Sequence, residues 1–234
     1  ILTGAAGVEA GGDCAYAFTQ LGEIFAWDGV GSPVSIAAIP GVEALSANLL
    51  EAGFLAVTAE ASLFAQGHNS YGQLGDGTKV DKISPVQVDL DINVKQAAMG
   101  GTHSAALTTD GRVLTWGNNQ YGQLGDQSVL YSDVALPVPD TANAVWKVAA
   151  GNTESYVIDS SNAVRKVTPD GLSAPILQGV SQLSSGDGHC LALKTDGSVW
   201  AWGNNSRGQI GNGTTTNAET PVSVLSGAAQ VCAG

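Results

Sequence analysis

Residues 101–126, GTHSAALTTDGRVLTWGNNQYGQLGD, decide the fold. They read as one unit: an apolar run, the pair Asp110-Gly111, a second apolar run ending at Trp116, then a glycine-rich loop. Asp-Gly between two such runs signals a two-residue hairpin, because type I′ turns need positive φ at both central residues. The unit recurs. Residues 187–212, DGHCLALKTDGSVWAWGNNSRGQIGN, repeat it nearly position for position, and residues 51–76, EAGFLAVTAEASLFAQGHNSYGQLGD, repeat its second half. Internal similarity of this kind identifies a repeat protein before any single residue is weighed.

Aligned on that unit, the chain holds five copies. Gly100, three residues before His103, has counterparts at Gly11, Leu50, Gly151 and Gly186, and a sixth copy opens at Gly234, with spacings between 35 and 51 residues. The place of Ala106 is taken by Ala17, Ala56, Val157 and Ala192, and that of Val113 by Ile24, Leu63, Val164 and Val199. Apolar character thus persists in the fourth copy, where the turn is Ser161-Asn162 and the glycine loop is gone. Three or four strands per copy at this period match the blade of a propeller. The predicted fold is therefore all-β, a β-propeller of four-stranded antiparallel blades. Its repeats lie at about 1–40, 41–91, 92–141, 142–178 and 179–226, with the start of a sixth at 227–234. Pro85, Pro137 and Pro221, each followed by valines, are expected to open outer strands, where no ladder donor is needed. Val42 to Ala65 is rich in Ala, Leu and Glu and favours a helix on propensity alone. The repeat register predicts strands there instead.

The chain is 44% hydrophobic but only 13% charged, has 31 glycines, and carries a net charge of −12 from 9 basic and 21 acidic residues. Such a surface repels phosphate backbones, whose protein affinity comes from lysine and arginine displacing counterions. Nucleic acid is therefore excluded as an expected partner, and anionic membranes are disfavoured. No apolar run reaches the roughly 18 residues of a membrane span, so no membrane insertion is expected. Cys14, Cys190 and Cys232 form no ligand-spaced cluster. Their odd count fits buried free thiols, or one disulfide plus one free thiol. Buried thiols are the expected state, since cysteine packs as a small apolar residue.

The stretch WGNNQYGQLGD, preceded by GTHSAALTTDG, closely resembles the regulator of chromosome condensation repeat family. The third copy carries the family pattern as Gly100, His103, Asp110-Gly111, Trp116-Gly117, Asn119 and Gly122-Gln123-Leu124-Gly125. The fifth carries it as Gly186, His189, Asp196-Gly197, Trp202-Gly203, Asn205 and Gly208-Gln209-Ile210-Gly211. The second keeps Gly67, Asn69 and Gly72-Gln73-Leu74-Gly75, and the first and fourth copies are degenerate. The resemblance implies a propeller, usually of seven blades, so the chain is expected to be part of a longer ring. The alternative is that Gln230–Gly234 completes the first blade. The resemblance also implies, for the founding member, nucleotide exchange on a small GTPase. That activity depends on a family-specific insertion and a basic surface, neither identifiable in this chain.

Candidate chemistry is sparse. His103 and His189 share one repeat position, held elsewhere by Cys14, Gly53 and Glu154. One such residue per blade on an inner strand could ring the central channel, but repetition favours a structural role in which imidazole bonds a neighbouring backbone. Asp76, Asp126 and Asn212 each follow a Gly-Gln-Leu/Ile-Gly turn. Calcium needs several oxygens converging in one loop, and a single side chain per loop suits a turn better. No phosphate-binding GxxxxGK[ST] and no GxSxG occurs. Neither catalytic residue, metal nor cofactor is predicted.

Trp27, Trp116, Trp200 and Trp202 fall on predicted strands and are assigned to the core. The repeat signature (His103, Trp116, Gly117, Asn119, Gly122 and Gly125, with His189, Trp202, Gly203, Asn205, Gly208 and Gly211) is assigned to the scaffold. The loops offer a contact face of Asn69, Tyr71, Gln120, Tyr121, Tyr131 and Arg207, since exposed tyrosine gives large contact area with few torsions to freeze. The function expected is non-enzymatic protein binding or scaffolding through loops on one ring face. A glycan ligand, as in a carbohydrate-binding propeller or surface adhesin, is the alternative. The low lysine content and acidic charge suit a secreted or bacterial cell-surface protein.

Overall fold

Each copy of the repeat folds as an antiparallel meander in a computed structural model that describes residues 3–12, 14–28, 30–127, 129–142 and 144–234. The first blade comprises β1 (Ala5–Ala10), β2 (Ala15–Thr19), β3 (Glu23–Trp27) and β4 (Val34–Ala38); the second β5 (Val42–Ala47), β6 (Gly53–Thr58), β7 (Leu63–Gly67) and β8 (Lys82–Val88). The third comprises β9 (Val94–Met99), β10 (His103–Thr108), β11 (Val113–Asn118) and β12 (Tyr131–Pro137). The fourth holds β13 (Val145–Ala150), β14 (Ser155–Asp159), β15 (Val164–Thr168) and the rudimentary β16 (Gly171–Leu172), and the fifth β17 (Val180–Ser185), β18 (His189–Lys194), β19 (Val199–Gly203) and β20 (Ala218–Leu225). The ambiguous segment 42–65 is three strands, so packing overrides its helical propensity. Among the described residues no helix is long and apolar enough to cross a membrane.

The first strand of each blade packs on the first strand of the next, β1 on β5, β5 on β9, β9 on β13 and β13 on β17. Together they line a central channel whose polar groups include Glu9, Gln96 and Lys147. Burial raises the carboxyl pKa of Glu9 and lowers the ammonium pKa of Lys147, and each charge partly offsets the other's shift. Every first strand breaks register between its first and third residues, as at Val94 against Thr108 and Gln96 against Leu107. A bulge repeated in five blades bends each innermost strand the same way.

Side chains on these strands staple neighbouring blades. Gln96 donates from Nε2 to Val148 O (3.2 Å) and accepts at Oε1 from Val148 N (3.3 Å). Ser46 Oγ accepts from Met99 N at 2.9 Å. Residues 229–233 lie along β17 under the same rule: Gln182 donates to Ala229 O (3.2 Å) and accepts from Val231 N (3.3 Å), while Ser184 Oγ accepts from Ala233 N (2.9 Å).

Pro85 and Pro221 fall inside the outermost strands β8 and β20, not at their first residues. Both sit where pairing to the neighbouring strand breaks register, between the Ala65 and Gly67 pairs of β7 and between the Ala201 and Gly203 pairs of β19. Proline is tolerated there because a bulge on an edge strand leaves its missing donor unneeded.

The apolar core is divided by seam. One cluster joins blades 1 and 2 around Phe18, Ile24 and Phe54, a second joins blades 2 and 3 around Leu55, Leu74 and Trp116. A third joins blades 3 and 4 around Leu107, Val113 and Val157, and a fourth joins blades 4 and 5 around Ile158, Leu183 and Trp202. Stability of such a fold is a sum of blade and nearest-neighbour seam terms.

Candidate functional site

The glycine loops join the third to the fourth strand of blades 2, 3 and 5, and each is built on one asparagine. Asn69, Asn119 and Asn205 are buried, and their Oδ1 atoms accept from Leu74 N, Leu124 N and Ile210 N at 2.9 Å in all three. Their Nδ2 groups donate across the loop: Asn69 to Asp76 Oδ1 and Thr78 O, Asn119 to Val129 O, and Asn205 to Thr214 O and Thr216 O. The loop's own asparagine thus replaces a hydrogen-bond ladder, which satisfies the backbone of a segment too short to form one. Asn69, expected on the contact face, therefore points inward and serves the loop.

The glutamines two residues after Tyr71, Tyr121 and Arg207 fix those positions. Gln73, Gln123 and Gln209 accept at Oε1 from Tyr71 N, Tyr121 N and Arg207 N, each at 2.9 Å. The backbone is locked while the side chain is turned outward: Tyr71 is 37% exposed and Tyr121 68%. Gln120 and Arg207 are exposed as well. Tyr131, 48% exposed, opens β12 and carries Lys79 Nζ 3.0 Å from its ring centroid, a cation–π contact that ties the loop of blade 2 to blade 3. One repeat position is thus a display position, occupied by Tyr, Tyr and Arg.

The remaining signature residues bracket the seams. Trp116 is fully buried and donates from Nε1 to Gln73 O of the preceding blade at 2.8 Å, and Ser104 Oγ donates to the same carbonyl at 2.7 Å. Gly122, at φ +77, has Pro169 of blade 4 where a Cβ would lie, 2.4 Å away. Gly117 pairs with His103 across the β10–β11 ladder at φ +100, and a Cβ there would lie 2.7 Å from His103 Cα. Gly125, like Gly208 and Gly211 in blade 5, keeps a positive φ.

His103 begins the second strand rather than an innermost one, so it lies at a seam and not on the channel. Its Nε2 meets Ser155 Oγ of blade 4 at 2.8 Å. Complete burial pushes its pKa down to about 4, against smaller opposing effects of the Asn152 backbone and the Glu154 charge. The ring is neutral at pH 7 and structural. His189 holds the same register opposite Gly203, beside Gly186 and Gly234.

Asp76 and Asn212 are turn residues. Asp76 Oδ1 accepts from Thr78 N and Thr78 Oγ1 and its Oδ2 is 2.8 Å from Lys82 Nζ; Asn212 Oδ1 accepts from Thr214 N and Thr214 Oγ1. Among the described residues no group of three or more His, Cys, Asp or Glu could hold a metal. All three cysteines are free thiols, with Cys190 buried, Cys14 half-buried and Cys232 exposed, so burial holds for only part of the set. Of the tryptophans, Trp116 and Trp202 are buried, while Trp27 and Trp200 are half-buried.

Two residues escaped sequence reasoning. Blades 1 and 4 lack a glycine loop, and both carry tyrosine at the position of Ala105: Tyr16 and Tyr156. Tyr16 Oη accepts from Gly53 N of blade 2 at 2.8 Å, and Tyr156 Oη from Trp202 Nε1 of blade 5 at 3.3 Å. Each ring also packs edge-on against the next blade, Tyr16 on Phe54 and Tyr156 on Trp202. A tyrosine hydroxyl thus does across the seam what the Gln73 carbonyl does for Trp116. The signal was present: both loopless copies place tyrosine at one aligned position.

Models of the regulator of chromosome condensation (RCC1) repeat match residues 60–107, 110–158 and 196–234, and a second form of the same repeat matches 94–123 and 180–209. The match over 60–107 takes in β7, β8, β9 and β10, so the repeat as matched spans a seam rather than a blade. Over 253 aligned residues the chain is 30% identical to the ultraviolet-B receptor UVR8 of Arabidopsis thaliana, covering 93% of this chain and 57% of that protein. It is 28% identical over 252 residues to the E3 ubiquitin-protein ligase HERC2 of Homo sapiens, covering 92% of the chain and 5% of that protein. The chain therefore spans little more than half of the one relative and a small part of the other. Among solved structures, yeast RCC1 (Prp20) bound to Kap60 superposes with a TM-score of 0.81 at 19% identity over 94% of this chain and 60% of that one. Prp20p of Saccharomyces cerevisiae, studied with its binding to Gsp1p and histones, gives 0.84 at 19% identity over 97% and 66%. Human WBSCR16 gives 0.84 at 21% identity over 97% of this chain and 69% of that one.

Proposed function

We propose that this chain, which belongs to the regulator of chromosome condensation repeat family, is a non-enzymatic propeller that binds a protein partner through the loop face of blades 2 and 3. The observation that carries the reading is the display position: a rigid loop holds Tyr71 and Tyr121 outward, with Tyr131 and Lys79 beside them. Tyrosine on a preorganised backbone gives contact area at low entropic cost. The binding of Kap60, Gsp1p and histones by yeast Prp20 supports the same class of function. With a net charge of −12, the complementary partner is a basic protein, and steering would make its association fall with added salt.

The test is affinity capture from the source organism with wild type and with Tyr71→Ser, Tyr121→Ser and Tyr131→Ser combined. A partner held by wild type and lost by the triple variant at unchanged melting temperature supports the reading. Equal capture by both, or nucleotide exchange on a GTPase panel without any captured partner, overturns it.

A further inference from the structure

The glycine loop of blade 2 plugs the seam between blades 2 and 3 with Leu74, whose side chain is fully buried against Trp116. Blade 1 has no such loop, and the equivalent seam between blades 1 and 2 is open. It forms a cleft of about 410 Å³ lined by Tyr16, Ala26 and Ile36 of blade 1 and by Phe54, Gln66 and Ile83 of blade 2. The lining is mostly apolar. Ile83 stands at its rim with 93% of its surface exposed.

Gln66 stands where Trp116 and Trp202 stand in blades 3 and 5, as the ladders show: each pairs with the second residue after the first strand's turn, Phe54, Ser104 and Cys190. Its amide orientation is fixed, because Nε2 donates to Ile83 O at 3.2 Å. That leaves Oε1 buried with no hydrogen-bond partner among the described residues. Four other buried atoms share this condition, but they form repeat-related pairs: Nε2 of Gln73 and Gln123, and Nδ1 of His103 and His189. Those belong to the scaffold. Gln66 Oε1 has no counterpart, and leaving a buried acceptor unpaired costs roughly 1–3 kcal/mol.

The chemistry of the two seams is complementary. At the plugged seam, Ser104 and Trp116 are donors that meet the plug's carbonyl, Gln73 O. At the open seam those positions are Phe54 and an acceptor, Gln66. The occupant must therefore bring an apolar side chain of the size of leucine together with an N–H donor. Of the charged groups that line the cleft, Lys82 is paired with Asp76 outside it at 2.8 Å, which leaves Asp81, with Glu51 close by around His68 (3.2 and 3.8 Å), to give the mouth an acidic balance.

We infer that the cleft between blades 1 and 2 is a binding site for a segment of a protein partner that inserts leucine or isoleucine, flanked by basic residues, and donates a backbone N–H to Gln66 Oε1. The segment takes in trans the place that Leu74 takes in cis one seam further on. This rests on the protein-binding reading above but adds a second contact, apart from the display tyrosines.

The test is an NMR titration of the 234-residue chain with capped Lys-Leu-Lys, capped Glu-Leu-Glu and a Lys-Leu-Lys analogue N-methylated at the leucine nitrogen. The expected result is saturable shifts of the Gln66 side-chain amide and of the Gly53 and Gly67 backbone amides. Lys-Leu-Lys should bind at least about fivefold tighter than the N-methylated analogue and tighter than Glu-Leu-Glu at low salt. Gln66→Trp, which installs the residue of the plugged seam, should abolish the shifts at Gly53 and Gly67. Ile83→Ser, on a side chain outside the core and without added charge, should weaken them several-fold at unchanged melting temperature. Absence of saturable shifts at Gln66, equal binding of the N-methylated analogue, or binding unchanged in Ile83→Ser overturns the inference. If the partner captured through the tyrosines binds Ile83→Ser as tightly as wild type, the cleft assignment alone fails.

Discussion

His103 should make the seam between blades 3 and 4 sensitive to acid. The ring is completely buried, its Nε2 bonded to Ser155 Oγ at 2.8 Å, and its pKa is pushed down to about 4 from an ordinary 6.5. Folding selects the neutral ring, so the unfolded chain takes up the proton first. Stability should fall as pH drops from about 6.5 and stop falling near 4, where the folded protein also protonates. The gap of about 2.5, at about 1.4 kcal/mol per pH unit, amounts to roughly 3 kcal/mol. For a chain of this size that is a fall in Tm of about 6–12 °C between pH 7 and pH 4. The window stays above the range of Asp159, whose carboxyl is held down at about 2 by Arg165, Ser161 and local backbone donors against the opposing effect of burial. The assay is differential scanning calorimetry from pH 7 to pH 4 on wild type and His103→Gln, whose amide can still reach Ser155 but cannot titrate. Wild type should show the fall and His103→Gln should lose most of it. An equal fall in both proteins would refute the reasoning.

Three further outcomes follow from the seams. Trp116→Phe removes the Nε1 bond to Gln73 O but leaves that carbonyl its Ser104 partner, so chemical denaturation should show a loss of about 1–2 kcal/mol, against about 3–5 kcal/mol for Trp116→Ala. Gly122→Ala and Gly211→Ala carry the same positive φ, +77 and +76, but only the first drives a Cβ into Pro169; it should lower Tm distinctly more, with Gly211→Ala limited to a strain of roughly 1 kcal/mol. Cys232 is exposed, while burial pushes the Cys190 thiol up to about 12, so a maleimide should label Cys232 in the native protein and Cys190 only after unfolding.

How much was legible follows from where each signal resides. The strand pattern is carried by alternating apolar residues such as Ala106, Val113 and Trp116, and those residues are the core, so the five antiparallel sheets could be read directly. The turns were legible in place but not in type: Asp110-Gly111 and Asp196-Gly197 do mark them, yet the loops are three residues long, 109–111 and 195–197, and only the glycine of each pair takes a positive φ. What could not be read was anything that depends on two blades meeting. Asn69 is a separate case: expected on the contact face, it turns inward and bonds Leu74, Asp76 and Thr78 of its own loop. For His103 the structural role was legible from its repetition, but the seam partner Ser155 was not, because it belongs to the next blade. The role of Tyr16 and Tyr156 appears only when the missing glycine loop is set beside the hydroxyl that bonds the next blade. The open cleft at Gln66 is likewise the consequence of a loop that blade 1 does not have.

The loop face of blades 2 and 3 as the partner surface is tested most directly by amide hydrogen exchange on the chain bound to its captured partner. The account predicts added protection over residues 69–80 and 119–134, where Tyr71, Tyr121 and Tyr131 are displayed, with little change in the turns around Glu60, Asp110 and Asp196. Protection centred on those turns, with the glycine loops unchanged, would contradict it.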